Sequence, residues 1–143
     1  MKKIFLIDNA DSIAEFFTDF LSLKGYKIEV SENVEDFSKR LDYFDPDLVI
    51  FDTDMPRSES YKFTTLKSKN PRIRYKPALL LTGFVNEAKI KGFEEIENYE
   101  FMDKSSTNSQ ILRRIESLLK YTHPESNGFY RSRGLAEVPG LSN

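Results

Sequence analysis

The sequence predicts a three-layer, doubly wound α/β fold built on a five-stranded parallel sheet. Two observations carry that expectation. Short apolar runs of four or five residues recur along the chain, and most of the segments between them place apolar residues three and four apart, the spacing of one helix face. A third observation narrows the field. The 143 residues include no cysteine, so the fold rests on one hydrophobic core and not on disulfides. Strict strand–helix alternation predicts a parallel sheet, because parallel strands need right-handed helical crossovers that cover both faces.

Each element has its own reason. Residues 4–7, Ile-Phe-Leu-Ile, are apolar without alternation, as in a strand buried on both faces. Asp11 or Ser12 is expected to cap the next helix, with Glu15 completing a capping box from Ser12. Ile13, Phe16, Phe17, Phe20 and Leu21 then follow helical spacing until Gly25 ends the helix. Tyr26 to Val30 alternates and reads as the second strand. Asn33 caps a second helix carrying Val34, Phe37, Leu41 and Phe44, which Pro46 terminates. Leu48 to Phe51 is the third strand, and the loop Asp52-Thr53-Asp54-Met55-Pro56 follows it. Residues 59–68 are weakly helical. Pro77 precedes a fourth strand, Ala78 to Leu81, and residues 85–97 read as a fourth helix interrupted by Gly92. Tyr99 to Met102 is the fifth strand. A last amphipathic helix over 107–121 turns Ile111, Leu112, Ile115, Leu118 and Leu119 inward. The folded domain is expected over residues 1–122. The tail, 123–143, is glycine-rich and without apolar periodicity, and reads as a flexible end or a short partner-binding segment.

Composition excludes several functions. Hydrophobic residues make up 39% and charged residues 31% of the chain, an ordinary balance for a soluble protein. A net charge of −2 provides no large basic field for nucleic acid. Without cysteine there is no thiol catalysis or thiolate metal site, and the lone His123 follows the last helix. The N-terminal apolar run is too short for a signal peptide or a membrane span, so a cytoplasmic protein is expected. The twelve Phe and seven Tyr read as core filling.

In an open parallel sheet, ligands bind beyond the carboxyl ends of the strands. That rule gathers Asp8 and Asn9 after the first strand, Asp52 and Asp54 after the third, Thr82 and Gly83 after the fourth, and Asp103 and Lys104 after the fifth. Asp8 and Asp52 offer hard oxygen ligands suited to Mg²⁺. A carboxylate nucleophile can form an aspartyl-phosphate. Lys104 supplies a mobile positive charge for a phosphoryl oxygen, and Thr82 a hydroxyl. Taken singly each residue has a plainer role: Asp8 as a helix cap, Asp52 as a turn residue, Thr82 as a strand residue and Lys104 as a surface charge.

These residues carry a family resemblance. Leu6-Ile7-Asp8-Asn9, the stretch from Pro46 to Pro56 with its Asp52-x-x-Met-Pro, Leu80-Leu81-Thr82-Gly83 and Phe101-Met102-Asp103-Lys104 together resemble the receiver domains of two-component response regulators, over about residues 2–121. The resemblance implies a (βα)5 flavodoxin-like arrangement with strand order 2-1-3-4-5. It implies Asp52 as the phosphoacceptor, and Asp8, Asn9, Asp52 and the backbone carbonyl of Asp54 as the Mg²⁺ site. It further implies Thr82 and Lys104 as phosphoryl contacts, Thr82 and Phe101 as the switch pair, and Gly83 as the small residue beside the site. Its partners would be a histidine kinase or other phosphodonor and a downstream protein target. The face of the fourth helix, fifth strand and last helix would also serve a homodimer.

Several positions depart from the family pattern. Asn9 stands where a second acidic residue is usual, and an amide oxygen holds Mg²⁺ without formal charge. Asp54 could restore some negative charge. Arg57 and Ser60 replace the glycines usual after Met-Pro, Ser105 replaces a proline, and Glu95-Ile96-Glu97-Asn98 replaces a Gly-Ala. The expected function is a phosphorelay receiver that switches a protein-binding surface, not an enzyme in the usual sense, with self-phosphorylation from a donor at most. A pseudo-receiver acting as a phosphorylation-independent interaction module is the alternative. An unrelated flavodoxin-like enzyme or nucleotide binder is a third reading, but no glycine-rich phosphate loop follows the first strand. The tail is short for an output module, so action by docking to partners is expected.

Overall fold

The structure, a computed structural model, describes residues 1–83 and 93–120, without the side chains of Asp11, Ser12 and Glu94. Five strands form one sheet: β1 (Lys3–Ile7), β2 (Lys27–Ser31), β3 (Leu48–Asp52), β4 (Ala78–Thr82) and β5 (Tyr99–Asp103). All pairings are parallel and the order is β2-β1-β3-β4-β5. The helices are α1 (Asp11–Leu23), α2 (Val34–Phe44), α3 (Arg57–Lys69) and α4 (Asn108–Lys120), with a 3₁₀ turn at Phe93–Glu95. Most of the helix expected over 85–97, the end of the last helix and the tail lie outside the described residues.

Burial explains why the central strands show no alternation. Every residue of β3 and β4 is buried, whereas the edge strand β5 is half-buried throughout. The two faces still separate residue by residue. Phe5 and Ile7 of β1 pack with Phe37, Leu41 and Phe44 of α2 and Phe63 of α3. Ile4 and Leu6 pack on the opposite face with Phe17 and Leu21 of α1 and Ile111 and Ile115 of α4. Phenylalanine fills the first of these layers: Phe5 meets Phe37 edge-on at 4.6 Å and Phe51 stacks on Phe63 at 4.5 Å. Offset-stacked and edge-to-face pairs of this kind add to the burial itself.

Helix ends follow the sequence in two cases and depart from it in one. Asn33 caps α2 by accepting from the Asp36 N–H at 2.8 Å. Gly25 closes α1 at φ 91°, where the Tyr26 N–H reaches back to the Leu21 carbonyl, an arrangement that favours glycine. The start of α1 differs from expectation. The cap position is Ala10, which has no side-chain cap, and both Asp11 and Ser12 are already helical. The reason lies two residues earlier: Asp8 Oδ1 accepts from the Ala10 N–H at 2.8 Å, so the turn out of β1 is held by the strand-end carboxylate. The weakly patterned stretch 59–68 is a full helix, α3, begun after Pro56.

Candidate functional site

Register brings the strand ends together. Ile7 pairs with Phe51 and Asp52 pairs with Leu81, so Asp8 sits beside Asp52 one step beyond the paired residues. Thr82 pairs with Asp103, which places Lys104 just past the end of β4. The ladder continues into the loops: the Asp8 N–H donates to Ser31, the Thr53 N–H to Leu81 and the Lys104 N–H to Thr82. These bonds fix the backbone from which each side chain projects. Met55, buried in the phenylalanine layer, anchors the loop after β3.

The side chains form a charged cluster that is open to solvent at Asp54. Asp8 and Asp52 are buried. Lys104 Nζ lies 2.7 Å from Asp52 Oδ1 and 2.9 Å from Asp54 Oδ2. Asp52 Oδ1 also accepts from the Asp54 N–H at 2.8 Å, and Asp54 Oδ2 accepts from the Gly83 N–H at 3.0 Å. Burial pulls the Lys104 ammonium down, but its bonds to Asp52 and Asp54 outweigh that and hold it above the ordinary lysine range. Asp8 behaves in the opposite way. Burial pushes its carboxyl up to about 6, and the Asp52 charge adds to this, against the Ala10 N–H that favours the ionised form. Its second oxygen, Oδ2, is buried with no hydrogen-bond partner. Asp52 faces it, and two ionised carboxylates cannot bond to each other without a proton.

A buried carboxylate oxygen without a donor, beside a second carboxylate, is suited to a hard divalent cation. Among the described residues, no three His, Cys, Asp or Glu side chains gather as a metal-ligand group. The hard oxygen donors buried at this edge are the two carboxylates, with Asn9 exposed just beyond β1. These residues fit Mg²⁺, which accepts few protein ligands and keeps several waters.

The model of the response regulator receiver domain matches residues 4–116. The chain belongs to that family. The transcriptional regulatory protein GltR of Pseudomonas aeruginosa is 24% identical over 120 residues, 83% of this chain and 49% of GltR. The chain thus spans about half the length of that curated relative. Among solved structures, the signal receiver domain of a Syntrophus aciditrophicus signal transduction histidine kinase superposes with a TM-score of 0.73 at 24% identity, covering 86% of this chain and 96% of that one. The chemotaxis response regulator CheY4 of Vibrio cholerae gives 0.73 at 19% identity, with 82% and 98% covered. At these identities the superpositions speak for the fold, which is that of a receiver.

The receiver's remaining candidate residues lie around this cluster. Thr82 is buried at the last position of β4. Phe101 is half-buried in β5, with its ring edge-on to Phe93 at 5.7 Å and to Tyr99 at 5.8 Å, so it faces the phenylalanine layer. Gly83 lies against Asp54: a methyl there would approach Asp54 Oδ2 to 3.2 Å. Sequence reasoning named every residue of the cluster but not the direction of the Asp54 carboxylate, which turns to Lys104 and Gly83. It also missed Lys67, a fully buried lysine of α3 away from the strand ends. No helix among the described residues is long and apolar enough to cross a membrane.

Proposed function

We propose that this receiver accepts a phosphoryl group on Asp52, with Mg²⁺, from a partner histidine kinase or a small phosphodonor, and thereby changes the surface it offers to a protein target. The observation that carries the reading is Asp52 held by Lys104 at 2.7 Å beside the unpartnered Oδ2 of Asp8. An Asp52 carboxylate oxygen attacks the donor phosphorus. A P–O bond to Asp52 forms as the bond to the donor's leaving group breaks, and the leaving group keeps that electron pair. Asp8, Asn9, Asp52 and the Asp54 carbonyl would hold Mg²⁺, which when bound offsets charge on the transferring group. Lys104 steadies one phosphoryl oxygen and Thr82 another. Thr82, one step along β4 from Leu81, and Phe101 on the adjacent strand then carry the change to the surface.

A second reading has one observation in its favour. Asn9 replaces a charged metal ligand with an amide, which weakens Mg²⁺ binding and suits a phosphorylation-independent interaction module. Beryllofluoride, a phosphoryl mimic, separates the two. With millimolar Mg²⁺, it is expected to shift tyrosine or amide signals of the receiver, and Asp52→Ala is expected to abolish the shift. Silence at millimolar Mg²⁺ would favour the interaction module, and a response regained in Asn9→Asp would assign the loss to the missing charge.

A further inference from the structure

We propose that the Asp54 carboxylate is a resident anion that holds the phosphoryl-binding donors of β4 and β5, and that an arriving phosphoryl group must displace it. The inference rests on the reading of Asp52 as acceptor and goes beyond it, because it concerns a neighbouring side chain that no phosphoryl chemistry requires.

The geometry is specific. Asp54 Oδ2 accepts from Lys104 Nζ at 2.9 Å and from the Gly83 N–H at 3.0 Å. One donor follows β5 and the other follows β4, so a single carboxylate oxygen bridges the ends of the two strands. A phosphoryl group on Asp52 would bring several anionic oxygens to the same place, where a cation and an N–H are the donors it needs. Those donors are already engaged. Lys104 is shared between Asp52 Oδ1 and Asp54 Oδ2, and the Asp54 N–H bonded to Asp52 Oδ1 keeps the two residues in one turn.

Tethering makes Asp54 an effective competitor, because an intramolecular group acts at high effective concentration. It is also displaceable: its side chain is 41% exposed, so the carboxylate can turn into water once released. Gly83 makes the close approach possible, since a methyl at that position would press on Asp54 Oδ2 at 3.2 Å. The charge of Asp54 is therefore directed at Lys104 and Gly83.

Three measurements on the full chain test the latch. In the free protein, Asp54→Asn is expected to move the Gly83 amide resonance upfield, as a carboxylate acceptor is lost. Titrating beryllofluoride at saturating Mg²⁺, Asp54→Asn should lower the half-saturating concentration about tenfold, the scale on which charge-assisted hydrogen bonds compete, while Asp54→Glu keeps a wild-type value. The thermal midpoint should stay near wild type, which distinguishes competition for the donors from a general loosening. A wild-type response with an equal or higher half-saturation in Asp54→Asn overturns the latch alone. Silence in both proteins overturns the underlying reading of Asp52.

Discussion

Asp8 shows how one side chain can be well placed and poorly satisfied. Its Oδ1 holds the turn into α1, while its Oδ2 is buried without a partner opposite Asp52. Burial and then the Asp52 charge lift its carboxyl from 3.8 to about 6. A folded-state value raised above the unfolded one stabilises the protein below the unfolded value, and that contribution is lost as pH rises through 6. At neutral pH the ionised Asp8 is therefore a cost. Asp8→Asn is expected to stabilise the metal-free protein by about 1–2 kcal/mol at pH 7.5, with the gain fading toward pH 4; urea unfolding at the two pH values measures it. A gain of equal size at both would contradict the assignment. The sequence made this residue a metal ligand by its place at a strand end. Its protonation was not legible, because that depends on burial and on a neighbour from another strand.

At the scale of the element, α3 was the hardest to read and holds the least expected residue. Its buried positions, Ser60, Phe63, Thr64 and Lys67, step by three and four as a core-facing stripe should, but only one is apolar. A search for apolar periodicity sees little there. Lys67 Nζ donates toward the carbonyls of Ile73, Arg74, Lys76 and Glu97, all within 3.0 Å. It thereby ties the connection between α3 and β4 to the segment entering β5. Burial pulls its ammonium down to about 7, and Glu97 opposes this. Lys67→Met would keep much of the side-chain volume but leave buried carbonyls without a donor, a loss of about 3 kcal/mol. A fall in the denaturant midpoint of that size, with the beryllofluoride response kept once refolded, is the expected result; a midpoint within error of wild type would show that the carbonyls find other partners. The start of α1 was misread for a related reason. Local capping rules favoured Asp11 or Ser12, while the carboxylate that holds the turn came from the end of β1.

At the scale of the molecule, the fold was legible because all levels agreed. Buried central strands appeared as unbroken apolar runs, α1, α2 and α4 as amphipathic repeats, and their alternation allowed a parallel sheet with two covered faces. The strand order came from the family resemblance, since alternation alone leaves it open, and the β2-β1-β3-β4-β5 sheet agrees with it. The site was legible as a set because the carboxyl ends of parallel strands form one edge. What composition and spacing did not contain was the direction of each charge: Lys104 bridging Asp52 and Asp54, and Asp8 left facing Asp52. Those directions are why phosphoryl acceptance by Asp52 is the central claim. The direct measurement is intact-mass analysis of the receiver after incubation with acetyl phosphate and Mg²⁺. The expected result is a mass gain of one phosphoryl group that is labile to hydroxylamine, depends on Mg²⁺ and is absent from Asp52→Ala. No gain at any Mg²⁺ concentration, or an equal gain in Asp52→Ala, would contradict it.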